Sequence, residues 1–289
     1  MATDYSALLT CHTHAIIRWT TVIHEPWHEK LPVHPLVPNY LRSDTDVCPV
    51  LLALDETNDA QKEQLYWNLV EAAKNPDKHL FASLLNVPPQ KTTKSLIHHL
   101  TDKVIMNAHS PPGKKLLIYY YMSYVFPHLW RILPDVRIRQ LFGFIQAWTI
   151  PFQNKWTTFA PPQTTEGIPQ YWAAGEQQVE NILRIGLINQ VLENIRKPDT
   201  PWASLEDFHT EAEKIDRALI HARQHYQMQD KDDLIAFGEH TIQYGADFHH
   251  HPKIQALLTQ TVEKKGWGYA PESLKLTEED WLAIQRPAS

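Results

Sequence analysis

Residues Lys114–Trp156 read KKLLIYYYMSYVFPHLWRILPDVRIRQLFGFIQAWTIPFQNKW. The stretch is dense enough in apolar and aromatic side chains to form the middle of a core, and it offers almost no group able to do chemistry. Leu116–Met122 reads as a buried strand and Pro127–Leu133 as a short helix. Pro134 and Asp135 read as turn residues. Leu141–Ile150 then reads as a second apolar strand, with aromatics continuing to Trp156.

The same alternation extends toward the N-terminus. Val47–Leu54 reads as a strand and Lys62–Lys74 as a helix with Leu65, Leu69 and Ala72 on one face. His79–Leu85 reads as a strand, and Thr93–Val104 as a helix capped by Thr92 or Thr93 with Leu96, Ile97 and Leu100 buried. Strand-helix repetition predicts a sheet covered by helices. Toward the C-terminus the pattern changes. APPQTTEGIP at 160–169 reads as a connector, and every clear period beyond it is helical. Glu176–Arg196 places Val179, Ile182, Leu183, Leu187, Val191 and Leu192 at spacings of three and four. Ser204-Leu-Glu-Asp207 supplies a cap signature for a helix over Leu205–Met228, in which Phe208, Ala212, Ile215, Leu219 and Ala222 share a face. Asp230 or Asp232 opens another that Gly245 closes, and shorter helices follow at Ile254–Val262 and after Thr277. The prediction is an α+β protein: an α/β lobe over 1–160 with a mixed sheet, a Pro-rich connector at 161–169, and an all-helical lobe over 170–289.

Composition narrows the function classes. The 289 residues are 43% hydrophobic, with 10 Trp, 11 Tyr and 9 Phe, ample for a folded interior. The net charge is −6 and the 27 Lys and Arg are scattered, which argues against a nucleic-acid track. Cys11 and Cys48 alone make a disulfide framework improbable and favour a reducing compartment. MATDYSALLTCHTHAIIRW lacks the basic and long apolar regions of a secretory signal, and no run approaches the roughly 18 apolar residues of a membrane span. A cytoplasmic protein with no membrane partner is the expectation. Neither GxxxxGK nor GxGxxG occurs, so no nucleotide or other cofactor is predicted.

His24-Glu25-Pro26-Trp27-His28 matches HExxH, the pattern of a zinc-dependent hydrolase, which needs both histidines one turn apart on a continuous helix. Pro26 in its middle breaks that helix at a cost of roughly 3 kcal/mol, so the zinc reading stands as the rival, not the preferred one. His249-His250-His251 reads as a polar loop ending at Pro252, because adjacent histidines point in different directions and rarely share one ion. His98 and His99 diverge by about 100° on a helix, one toward solvent and the other toward the lobe interface. No nucleophile elbow or Cys-His setting stands out, and Asp232-Asp233 and Glu278-Glu279-Asp280 complement helix starts. No catalytic, cofactor or metal residue is therefore assigned. The aromatics Tyr119, Tyr120, Tyr121, Tyr124, Trp130, Trp148 and Trp156 exceed what a hidden core usually needs, and they are the candidate partner-binding residues.

Several segments, in order, carry a resemblance. They are Cys48-Pro49-Val50-Leu51-Leu52, then Phe81-Ala-Ser83-Leu-Leu85 before Ser95-Leu96-Ile-His-His-Leu100. Leu141-Phe142-Gly143-Phe144-Ile145 with Trp148 follows, and then Tyr244-Gly245-Ala-Asp247-Phe248 with Pro252. Together they resemble the bacterial type VI secretion adaptor/chaperone family. An Arg-Phe-x-Asp-Pro motif of that family falls at Ile118–Met122, where only aromatic character survives. The resemblance implies a non-catalytic cytosolic adaptor that binds a toxin effector, often through the effector's N-terminal region. It would deliver that effector to the C-terminal end of the VgrG spike protein. An immunity-type binding protein is the other non-enzymatic alternative.

Overall fold

In the computed structural model, residues 5–18, 31–38, 41, 48–74, 81–109, 113–153, 155–196 and 202–285 are described. The HExxH match at 24–28 lies outside them. The chain divides into two compact units, Met1–Val179 and Glu180–Ser289, and the fold is α+β.

The first unit is built on six strands: β1 (His14–Ile17), β2 (Val33–Pro35), β3 (Val50–Ala53), β4 (Phe81–Asn86), β7 (Ala147–Phe152) and β8 (Lys155–Phe159), in the order β2-β3-β1-β4-β7-β8. Every neighbouring pair is antiparallel, where a mixed sheet was predicted. The parallel pairing is confined to a small second sheet, where β5 (Ile105–Ala108) pairs antiparallel with β6 (Lys115–Leu117) and parallel with β9 (Ala173–Ala174). β1 and β3 are buried at every position, as strands covered on both faces must be.

Residues opposite one another in register share a face. Ala15, Leu52, Leu84 and Thr149 are so aligned. Ala15, Leu52 and Leu84 pack, with Ile17 and Val50, against Leu65 and Leu69 of α2 (Asp59–Lys74). On this side α1 (Tyr5–Cys11) ends beside His12. His12 Nδ1–H donates to the Leu8 carbonyl at 2.7 Å, which leaves Nε2 to accept from Thr149 at 2.8 Å, and Thr149 then accepts from Thr158 at 2.9 Å. Burial keeps the His12 pKa low, consistent with the neutral ring this chain of bonds needs.

The opposite face carries Leu85, Trp148 and Phe159 in register, and the opening stretch of sequence folds over it. Two of its predicted strands are corrected. The strand over Leu116–Met122 stops at Leu117. Beyond it Met122 N–H donates to the Tyr119 carbonyl (2.9 Å) and Val125 N–H to the Met122 carbonyl (3.0 Å), so the chain coils through tight turns. An unbroken aromatic run has no polar alternation to hold it extended. Instead Tyr120 turns inward, its hydroxyl donating to the Leu100 carbonyl at 3.0 Å and its ring meeting Trp148 edge-on at 5.7 Å. The strand over Leu141–Ile150 is also shortened: Leu141 and Phe142 end a helix, α5 (Asp135–Phe142), which follows α4 (Phe126–Ile132). Pro134 is its N-cap and Asp135 its first residue, so the predicted turn is a helix start. Gly143 ends it at φ +58, and the strand begins only at Ala147.

Thr92 caps α3 (Thr93–Lys103) by accepting from Ser95 N–H. The Pro-rich segment at 160–169 lies within the first unit. Its end is tied down by Gln140, which donates to the Pro169 carbonyl at 2.8 Å, and by Arg137, which donates to the Tyr171 carbonyl. The division falls later, within α6 (Glu176–Ile195).

The second unit is helical beyond α6: α7 (Leu205–Tyr226), α8 (Lys231–Tyr244), a 3₁₀ turn (Phe248–His250), α9 (Pro252–Glu263), α10 (Tyr269–Ser273) and α11 (Glu278–Gln285). Ser204 caps α7 and Asp230 caps α8, as their sequence signatures predict. Thr277 and Asp280 bond reciprocally across the start of α11, a capping box. The predicted stripe of α7 is buried at Phe208, Ala212, Ile215, Leu219 and Ala222. In α6 Val179, Val191 and Leu192 are buried as predicted, Ile185 and Ile188 join them, and Leu183 is exposed. Arg184 is buried too, and its Nε–H meets Asp216 of α7 at 2.5 Å. Sequence periodicity weights apolar residues only and passes over a buried ion pair.

Candidate functional site

The candidate partner-binding aromatics do not form one surface. Tyr120 and Trp148 have no exposed area and Tyr121 has 3%, so these three belong to the interior. Trp148 sits 5.2 Å from Phe126 and 5.7 Å from Phe142. Trp130 is half-buried, 5.1 Å from Phe159. Trp156 points to the other face of the sheet, where its indole N–H donates to the Leu69 carbonyl at 3.2 Å. Tyr119 (37% exposed) and Tyr124 (41%) alone remain available to a partner. The expectation failed at the buried positions because each ring found a layer of other rings to fill, which a one-dimensional count of tyrosines does not reveal.

His98 faces solvent beside Asp102 at 3.6 Å. His99 lies within the first unit: its Nε2–H donates to the Leu141 carbonyl at 2.8 Å, with its ring beneath Gly143.

A cleft of about 630 Å³ opens in the second unit between α7 and the C-terminal half of α8. Spacings of three and four along α7 bring Glu211, Lys214, Arg217, Ala218 and His221 to one wall. Phe237, Thr241 and Ile242 of α8 form the second. Gly245 ends α8 at φ +94, a backbone shape that side-chain-bearing residues rarely adopt. The chain thereby turns back, so that Ala246, Asp247 and His249 close the cleft.

Its electrostatics are balanced. Glu211 and Lys214 are paired at 2.6 Å, leaving Arg217 and Asp247 as the other fixed charges on the lining. Thr241 donates its hydroxyl to the Phe237 carbonyl at 2.9 Å, so it accepts more readily than it donates. His221 Nε2 is buried with no hydrogen-bond partner. Burial first, and then the neighbouring His249, His225 and His250, lower its pKa. His249 is lowered by burial and by His250, against a smaller opposing pull from Asp247. Neutral imidazoles and a mixed-charge rim suit hydrogen bonding to a polypeptide or a polar small molecule.

The triplet His249-His250-His251 divides as its adjacency predicts: His249 is buried, His250 is exposed, and His251 caps α9 by accepting from Lys253 N–H at 3.3 Å. Among the described residues no three His, Cys, Asp or Glu side chains are arranged to hold a metal ion. No helix among them is long and apolar enough to cross a membrane. Sequence reading missed the cleft. Its one legible signal was His221 and His225, a turn apart on α7, near the Gly245 turn.

Comparison of the chain with family models, curated proteins and solved structures finds no match in any of the three.

Proposed function

We propose that this protein is a non-catalytic adaptor of the type VI secretion kind. It binds a toxin effector in the cytoplasm through that effector's N-terminal region and passes it to the C-terminal end of the VgrG spike protein. One observation carries most weight. The segment that resembles the family in the helical unit, Tyr244–Phe248 followed by Pro252, supplies Gly245, Ala246 and Asp247 to the lining of the cleft between α7 and α8. A mixed-charge cleft with an apolar floor suits a polypeptide side chain better than a small charged metabolite. Tyr119 and Tyr124 on the first unit offer a second, separate contact.

The test is co-expression with each neighbouring open reading frame, followed by pull-down, for the wild-type chain and for Ala246→Trp. Ala246 is exposed, so the bulky ring fills the cleft without disturbing the core. The expected result is one co-purifying toxin whose recovery collapses in the variant while the melting temperature holds. Failure of any neighbouring product to co-purify with the wild-type protein would overturn the adaptor reading. Full recovery with Ala246→Trp would remove the cleft from it.

A further inference from the structure

Four imidazoles gather where the C-terminal end of α7 meets the Phe248–His250 turn. Between ring centroids, His221 lies 4.3 Å from His225 and 4.7 Å from His249, and His249 lies 4.0 Å from His250. Phe237 stacks on His221 at 6.3 Å, and Tyr226 approaches His221 at 5.4 Å. The other groups facing the cluster come from each element packed around it. α7 presents Arg217 and the paired Glu211 and Lys214, α8 presents the uncharged Phe237, Thr241 and Ile242, and the turn presents Asp247. From α9, Gln255 donates to the His249 carbonyl at 2.5 Å.

We propose that His221, His225, His249 and His250 form a pH-sensitive latch, which holds the 245–250 turn against α7 while His221 and His249 are neutral and frees it, opening the cleft, when those two rings take up protons. Neutral rings pack in tilted contact at these separations at no electrostatic cost. Protons on both His221 and His249 place like charges 4.7 Å apart, and water cannot fully screen them because His249 is only 8% exposed. Asp247 favours charge on His249, but burial and His250 oppose it, and burial is the largest cause.

The direction follows from linkage. His221 and His249 bind protons less well in the closed arrangement than the usual histidine value. Opening exposes them and restores that affinity, so protons stabilise the open arrangement. The latch is closed above the ordinary histidine range and loosens as pH falls through it. It is a property of the cluster and holds whether or not the chain is an adaptor.

Amide hydrogen exchange of the full chain, read by mass spectrometry at about pH 7.5 and about pH 5.5 and corrected for intrinsic rates, tests the latch. His240, whose pKa is about 4, stays neutral in the folded chain at both values, but the unfolded chain takes up its proton near 6.5, so the latch is read as the fall at the turn beyond that of the mid-α8 amides. Protection across 244–251 and the last turn of α7 is expected to fall by about tenfold at the lower pH, the change that corresponds to about 1.4 kcal/mol. Strands β1 and β4 should keep theirs. His221→Asn removes one of the two rings whose proton uptake opens the latch, and with it the like-charge pair, so the fall should shrink to less than about threefold. Equal protection of the turn at the two pH values would overturn the proposal. So would a full tenfold fall in His221→Asn.

Discussion

Acidifying the protein should weaken the second unit through His240, by an amount that can be worked from its surroundings. His240 stands on α8 with its ring 4.4 Å from Trp281 and 5.7 Å from Tyr269. Its Nδ1 is 2.8 Å from the Tyr269 hydroxyl. Burial raises the pKa of that phenol well above 10, so it stays protonated and donates to Nδ1, leaving the ring proton on Nε2. A further proton must attach to Nδ1, which removes the acceptor and buries a charge. Burial accordingly lowers the His240 pKa from 6.5 to about 4. At about 1.4 kcal/mol per tenfold change in proton affinity, this difference corresponds to roughly 3 kcal/mol.

The unfolded chain takes up this proton near 6.5 and the folded chain only near 4, so between those values the unfolded state binds more protons and stability falls with pH. The contribution is intact above 6.5 and fully lost below about 4. The measurement is hydrogen-exchange protection of α8 from about pH 7 down to about pH 4, for wild type and for His240→Leu. The leucine variant starts less stable because Tyr269 loses its acceptor, but its decline with acid should be smaller by roughly 3 kcal/mol. His221 and His249 titrate in both proteins, so the difference between the two curves isolates His240. Parallel curves would refute the assignment.

Gly143→Ala should cost about 2–3 kcal/mol. The position needs φ +58, and a Cβ there would come within 2.5 Å of the His99 ring, which cannot swing away without losing its bond to the Leu141 carbonyl; thermal melting checks it. Asp233→Ala should cost about 3 kcal/mol, measured by urea unfolding, because this 1%-exposed carboxylate accepts from Gly268 N–H at 2.7 Å and Ala270 N–H at 2.6 Å and so pins the start of α10. Tyr120→Ala should lower stability by about 3–5 kcal/mol, whereas Tyr119→Ala with Tyr124→Ala should leave the melting temperature nearly unchanged and weaken co-purification of whichever partner the pull-down recovers. A double variant as unstable as Tyr120→Ala would return the exposed tyrosines to the core.

The sequence made the elements legible wherever one signal dominated. Ser204 and Thr92 announced helix starts because a short hydroxyl side chain before an apolar period has one good use. The stripe of α7 followed from spacing because its buried positions are almost wholly apolar, Asp216 excepted. Leu116–Met122 misled for the opposite reason, since with apolar residues at nearly every position a strand and a coiled turn bury similar area. The inward turn of Tyr120 is decided by the Leu100 carbonyl and Trp148, 20 and 28 residues away in sequence. β5 and β9 escaped notice because each is too short to show a period, and their pairing joins residues as far apart as Asn107 and Ala173. The cleft was hard to foresee for a related reason: its walls are ordinary helix faces, and only the reversal at Gly245 closes them into a cleft.

The Gly245 turn also bears on how the family-like motif should be weighed. Tyr244 stacks on Trp281 at 4.4 Å, and Gly245 supplies the positive φ that ends α8. Phe248 is buried 5.1 Å from Phe237, and Pro252 occupies the first turn of α9, where its missing N–H costs nothing. Those four positions are explained by folding alone, and any protein that reverses its chain in this way would favour them. Ala246, Asp247 and His249 remain, and they are the ones that face the cleft. Ala246 and Asp247 are exposed, so packing places little demand on their side chains. A partner that uses this cleft must therefore read these three positions. Substitution of Asp247 with asparagine, which keeps the turn and removes the charge, should change partner affinity without changing stability. An unchanged affinity would confine Asp247 to the turn.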